Sequence, residues 1–299
     1  MSESRNALDG VMQNFQPTSD TPQAPTREEI VEALLLEAGA ADHLPTDESK
    51  LLGYLKLEQL SFDFMHELDF LPETQKQTLD LRAALSFNDR LVATQSGLSD
   101  KRKRFGIFHE IGHFILPEHR SRLFLDDDST LSWWTKTRIE REANEIAAEL
   151  LFQGNRFTED ALSLPSSVRT VTELAPKYGA SYESAMRRYT ERHVLPCAVV
   201  ILDKVQRNPD EFEFEDSEYK VHYTITSPSF RKRYFSALEI KGGGTIKGSE
   251  LCGKSRWRGV DDVVEHRMTV GEWHFETEIF SNGYKIFQFV LPPKAALKI

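Results

Sequence analysis

The stretch Phe105-Gly106-Ile107-Phe108-His109-Glu110-Ile111-Gly112-His113-Phe114-Ile115-Leu116 decides the fold of the first half of the chain. It contains His-Glu-x-x-His. On an α-helix, positions i and i+4 share a face, so His109 and His113 project side by side. Two neutral imidazoles so placed can fill two corners of a tetrahedral zinc site. Glu110 follows His109 and can reach a water at the metal without ligating the metal itself, where it serves as general base. Short patterns of this kind also recur by chance, and a histidine is often a satisfied core residue. The context selects the site. Phe105, Phe108, Ile111, Ile115 and Leu116 surround the motif with apolar side chains. Ser99 suits an N-cap, Asp100 the first turn, and Pro117 stops the helix.

A zinc site needs a third protein ligand. His119 completes the metzincin spacing, but that pattern has Gly where Leu116 stands, and a bulky Leu before Pro117 suits the sharp turn poorly. The run from Arg138 to Leu151 has strong helix propensity and offers carboxylates. On it Glu140, Asn144, Ala147, Ala148 and Leu151 share a face. A carboxylate above small alanines is what a second helix needs to approach the first closely. Glu140 therefore stands first as third ligand, Glu142 second and His119 third.

The two blocks, His-Glu-Ile-Gly-His and Glu140-x-x-Ala143-Asn144-x-x-Ala147-Ala148-x-Leu150-Leu151, resemble the ImmA/IrrE family of bacterial metallopeptidases over roughly residues 80–155. The resemblance implies a zincin-like fold, zinc on His109, His113 and Glu140, and Glu110 as catalytic base. It also implies a substrate class, helix-turn-helix transcriptional repressors cut at one site under stress. That family often has Pro shortly after the Leu-Leu pair. Here Phe152-Gln153-Gly154 follows, a departure that touches the helix end and not the metal site.

At 299 residues the chain is long enough for two domains. Hydrophobic content of 39% and charged content of 28% are ordinary for a globular protein. No apolar run reaches the length of a membrane span, and the N-terminus has no apolar signal-peptide core, so a cytoplasmic protein without a membrane partner is expected. Cys197 and Cys252 are too few and too far apart for a disulfide framework. A net charge of −10 argues against bulk nucleic-acid binding, though not against a local basic site.

The chain reads as α+β. Residues 1–25 are polar and proline-punctuated, a disordered tail. Residues 26–157 form the zincin-like metallopeptidase domain. It opens with a helix capped by Thr26 and a short helix over 47–60; Ser61 to Met65 alternates and suits a strand. The runs Leu81–Phe87 and Leu91–Thr94 flank the turn pair Asn88-Asp89 and form a hairpin, whose edge strand can pair with an extended substrate. Residues 158–193 are helical and helix-turn-helix-like, with Gly179 as C-cap, Ser181 as N-cap, and Arg187 and Arg188 on the second helix. Residues 194–299 are mainly β, with strands at Cys197–Leu202, Phe212–Phe214, Tyr219–Ile225, Trp273–Phe280 and Tyr284–Val290, and a helix around Ser229–Leu238. The family resemblance suggests a GAF-like sensor here.

Three features of this second domain carry expectations. Gly248 to Ser255 fits the phosphate-loop pattern, but no long helix follows and too little chain remains for a nucleotide fold, so an ordinary Gly-rich loop is expected. Arg231, Lys232, Arg233, Lys254, Arg256, Trp257 and Arg258 interleave cations with aromatics, a mixture that suits single-stranded DNA as an activator. A Cys252 thiolate could occupy the fourth zinc position as an autoinhibitory cap. The leading expectation is thus a zinc endopeptidase that cleaves a repressor in response to stress or DNA damage, regulated by its C-terminal domain. The alternative is a non-catalytic DNA-binding regulator that uses the helix pair over 168–192.

Overall fold

The computed structural model describes residues 25–67, 82–119, 133–204, 218–234, 243–252, 262–270 and 272–293, without the side chains of 65, 133–136, 204 and 252. The chain divides into two compact units. The first holds Met1–Arg156 with Lys177–Gly179, the second Phe157–Pro176 with Ala180–Ile299. The tail expected over 1–25 lies outside the described residues but for its last position.

In the first unit, α1 (Arg27–Glu37) begins at a complete capping box. The Thr26 hydroxyl accepts from the Glu29 amide while the Glu29 carboxylate accepts from the Thr26 amide, satisfying two amides that have no partner within the helix. Then come α2 (Glu48–Leu55), β1 (Glu58–Phe62) and the single turn α3 (Phe64–Glu67). The strand expected at Ser61–Met65 is therefore displaced toward the N-terminus. Lys56 takes a left-handed conformation that ends α2 early, and the chain is already extended by Glu58.

The hairpin β2 (Ala83–Ser86) and β3 (Leu91–Gln95) is antiparallel, and β1 joins the far side of β3 in parallel, giving the order β1-β3-β2. On this small sheet lies α4 (Asp100–Ile115), which carries the His-Glu-x-x-His motif. It buries Ile107, Phe108, Ile111, Phe114 and Ile115. Ser99 is its N-cap residue by backbone, though its hydroxyl makes no capping hydrogen bond; Leu116 is extended, as a residue before proline prefers. Gly106 lets α4 approach β2, since a Cβ there would meet the Ala83 Cβ at 3.3 Å.

Against α4 packs α5 (Trp133–Phe152), with Ile139, Ala143, Ile146, Ala147, Leu150 and Leu151 buried. Gln153 and Gly154 both have positive φ, and the Gly154 amide returns to the Glu149 carbonyl at 2.9 Å, closing the helix. The Gln153 side-chain amide donates to the Ala40 and His43 carbonyls. Gln153 thus ties down the end of α5.

The second unit begins with α6 (Arg156–Leu162), α7 (Val168–Lys177) and α8 (Tyr182–Arg192), though single residues at the starts and ends of α6 and α7 fall in the first unit. The Ser181 hydroxyl accepts from the Ser184 amide as the expected N-cap. The sheet strands are β4 (Ala198–Lys204), β5 (Glu218–Thr226), β6 (Thr245–Lys247), β7 (Val263–Val270), β8 (Trp273–Ser281) and β9 (Lys285–Leu291). They form one antiparallel sheet in the order β6-β5-β4-β9-β8-β7. Its centre is covered on both faces, so Ala198–Leu202 is a continuous apolar run and Ile286–Leu291 is apolar but for Gln288, all with almost no exposure. By contrast, β7 exposes Glu265, Arg267 and Thr269 on alternate positions, as a half-solvated edge does. On one face, α9 (Pro228–Tyr234) packs Phe230 and Tyr234 on Phe275 and Val290. The other meets α8, where Tyr182 touches Phe280 and Tyr189 touches Phe289 edge-on. The loop expected from Gly248 is a short helix, α10 (Gly248–Cys252), whose Leu251 is core. The strand expected at Phe212–Phe214 lies outside the described residues.

Candidate metal centre

The i, i+4 spacing on α4 brings His109 and His113 to one face, with their Nε2 atoms 3.1 Å apart. Glu140, on the facing surface of α5, adds carboxylate oxygens 3.2 Å from His109 Nε2 and 3.6 Å from His113 Nε2. Among the described residues, these three are the group whose ligand atoms all lie within 4.8 Å of one another. Two imidazole nitrogens and a carboxylate are a common zinc donor set. Bonds of about 2.1 Å at tetrahedral angles place ligand atoms about 3.4 Å apart. The observed separations bracket that figure, so the residues fit a metal of this kind.

The outer contacts favour the same atoms. His109 Nδ1 is 3.1 Å from the Asn144 side-chain oxygen, which can only accept. Nδ1 must therefore carry the ring proton, leaving the Nε2 lone pair free for a metal. The two residues ranked below Glu140 as third ligand sit one layer out. His119 Nδ1 is 3.1 Å from His113 Nδ1, and His119 Nε2 is 3.0 Å from Glu142 Oε2. Sequence order alone gave no sign of this second layer, because it depends on the turn Pro117–His119 that folds back under α4. The His119 amide on the Leu116 carbonyl, at 3.0 Å, closes that turn.

The electrostatics follow from burial and from these contacts. The imidazoles of His109 and then His113, set against its oxygens, hold the Glu140 carboxyl far below the usual carboxylate range. Burial pulls the His109 imidazole down, but the bonded Glu140 and the charge of Glu110 outweigh it, and the net shift is upward. Glu110 is 7% exposed, and burial pushes its carboxyl up against the pull of both histidines. Burial drives His119 down, toward the neutral ring, although Glu142 opposes this.

The remaining sequence candidates are dispersed. Arg231, Lys232 and Arg233 are exposed on α9, with the Arg231 Nε on the Thr226 hydroxyl at 3.3 Å and the Arg233 guanidinium 5.4 Å from the Tyr234 ring centre. Lys254, Arg256, Trp257 and Arg258 lie outside the described residues, as does the side chain of Cys252, the last residue of α10. Cys197 is a core thiol that burial pushes up to about 12, which makes it inert. Arg187 pairs with Glu191 at 3.1 Å and stacks over Tyr223, while Arg188 is 5% exposed.

A helix bearing His-Glu-x-x-His, joined by a carboxylate from a second helix, defines a centre of the His-His-Glu class. Residues 69–190 match the family model described as IrrE N-terminal-like domain, a peptidase family, so that stretch is similar to the ImmA/IrrE family. The matched region stops within α8 and leaves the six-stranded sheet outside it. No curated protein matches the chain. Among solved structures, a Mycobacterium tuberculosis transcriptional regulator is similar, with a TM-score of 0.53 and 11% identity over 97% of this chain and 80% of that one. At that identity the likeness is one of fold. Among the described residues, no helix is long and apolar enough to cross a membrane.

Proposed function

We propose that the chain is a zinc endopeptidase whose metal is held by His109, His113 and Glu140. The observation that carries this reading is the convergence of those three side chains inside an IrrE N-terminal-like domain. Zinc bound there supplies Lewis acidity toward the scissile carbonyl and toward water. Glu110, one residue from His109 and on the same helix, holds the attacking water and takes its proton on the carboxylate. Its burial excludes competing solvent around that oxygen. The hairpin strand β2 stands at the edge of its sheet and offers backbone amides and carbonyls to an extended substrate.

The substrate class we assign is a helix-turn-helix transcriptional repressor, on the strength of the family resemblance. The engagement of Arg187 with Glu191 and Tyr223, and the burial of Arg188, count against the rival in which the helix pair over 168–192 reads DNA. The antiparallel sheet with helices on both faces suits a GAF-like sensor that controls the peptidase, with single-stranded DNA as the activating ligand. The exposed Arg231, Lys232 and Arg233 support the phosphate-binding part of that ligand chemistry, while Tyr234 beside them is a core side chain.

The test is cleavage of a co-purified helix-turn-helix repressor, with and without a single-stranded oligonucleotide at fixed salt. Glu110→Gln keeps the shape and removes the base; it should retain zinc and lose cleavage. Cleavage by that variant at the wild-type rate would overturn the assignment. Equal rates with and without oligonucleotide would overturn the activator alone.

A further inference from the structure

His119 and Glu142 are both metal-ligand residue types, and both stand beside the centre without joining it. The His119 side chain is 1% exposed. Its Nδ1 faces His113 Nδ1 at 3.1 Å and its Nε2 faces Glu142 Oε2 at 3.0 Å. The other Glu142 oxygen is 2.8 Å from Arg27 Nη2, and Arg27 Nη1 is 2.7 Å from Glu145 Oε2. One continuous chain of polar contacts therefore runs from His113 to the first residue of α1.

The protons in this chain can be placed. A His113 that ligates through Nε2 must carry its ring proton on Nδ1. That proton points at His119 Nδ1, which must accept it, so His119 carries its own proton on Nε2. There it meets Glu142, which accepts at one oxygen while Arg27 donates to the other. Reversing the direction would place a proton on His113 Nε2 and remove the metal ligand. Glu142, held as a carboxylate beside Arg27, can only accept, so it sets the same direction from the other end of the chain.

We infer that His119, Glu142 and Arg27 are positioning residues that fix His113 as an Nε2 ligand, an inference that rests on the metal centre proposed above. The arrangement lengthens the familiar carboxylate–histidine–metal contact by one imidazole. The charge of Glu142 polarises both rings in the same direction and strengthens the His113 Nε2 lone pair as an electron donor to a metal. His109 has a shorter, neutral counterpart in Asn144.

The experiment uses the full chain and zinc ion, with affinity measured by competition against a chelator. Nitrogen-15 NMR of histidine-labelled, zinc-bound protein reads the tautomers. His119→Phe keeps the ring volume and should weaken zinc roughly 10–100-fold, the usual cost of losing an outer contact to a metal ligand. Glu142→Gln keeps the shape without the charge and should weaken it by a smaller factor. The melting midpoint of each metal-free variant reports folding separately. Should His119→Phe fail to fold, Glu142→Gln and the wild-type spectrum still decide. The expected spectrum has the proton on Nδ1 of His113 and on Nε2 of His119. A proton on Nδ1 of His119, a His119 nitrogen bound to zinc, or wild-type affinity in both variants overturns the relay and leaves the centre standing. A wild-type chain that takes up no zinc overturns the centre, and the relay with it.

Discussion

Gly112 of α4 lies directly against Ala143 of α5. A Cβ built on Gly112 would stand 3.0 Å from the Ala143 carbonyl oxygen, 3.1 Å from its Cα and 3.2 Å from the Ile146 Cβ. The two helices thus meet backbone to backbone, one residue before His113 and three residues after Glu140. Their closeness brings the carboxylate to the imidazoles. Replacing Gly112 by Ala gains about 1 kcal/mol of helix propensity. Against this stands an overpacking cost of about 1–3 kcal/mol, because the neighbour is main chain and cannot rotate away. The second effect should win. Gly112→Ala should melt lower and bind zinc more weakly than wild type. A higher melting midpoint with unchanged zinc affinity would contradict the packing argument.

Asn144 offers a cleaner separation of metal affinity from stability, because it is exposed and its one assigned task is to accept from His109 Nδ1. Asn144→Ala should weaken zinc by about tenfold while the metal-free chain melts almost as wild type does. Asn144→Asp can still accept the bond and should keep most of the affinity. Chelator competition on the three proteins checks this; equal affinities for wild type and Asn144→Ala would show the contact to be idle.

In the second unit, Glu183 of α8 accepts a hydrogen bond from the Tyr223 hydroxyl and lies 3.1 Å from the Lys285 ammonium. Burial pushes its carboxyl up, but Tyr223 and Lys285 together outweigh burial and the net shift is below the ordinary 4.5. A carboxylate with a lowered folded pKa stabilises fully above its unfolded value and loses that contribution as pH falls through the folded one. Glu183→Gln should therefore melt below wild type at neutral pH. The gap should close as pH is lowered from 4.5. A gap that persists unchanged to about pH 2 would show that the charge of Glu183 contributes nothing.

Much of this was legible before the structure. The His-Glu-x-x-His helix, the hairpin before it and the helix from Arg138 follow from spacing, turn residues and propensity, all local signals. The ranking of Glu140 above Glu142 and His119 rests on local information, since one helix face carries only certain positions, and Glu140 is the carboxylate that lies beside both imidazoles. The helix contact at Gly112 did not show, because the small residues that share a face with Glu140 in the sequence are Ala147 and Ala148, while the close approach uses Ala143 and the glycine inside the motif. The layer of His119, Glu142 and Arg27 was hidden for another reason. It joins residues far apart in the chain through a three-residue turn, and no periodicity encodes that meeting. In the second unit, alternation marks β5, β8 and β9 and an apolar run marks β4, whereas the two edge strands β6 and β7 went unread. The short helix at Gly248–Cys252 was masked by a glycine-rich composition that reads as loop.

The central claim is that His109, His113 and Glu140 form one metal centre, and metal content tests it most directly. Purified chain equilibrated with zinc and freed of excess should hold about one zinc, as should Glu110→Gln, because Glu110 is not a ligand. Glu140→Ala, assayed beside them by emission spectroscopy, should hold almost none. Full zinc occupancy in Glu140→Ala would contradict the account.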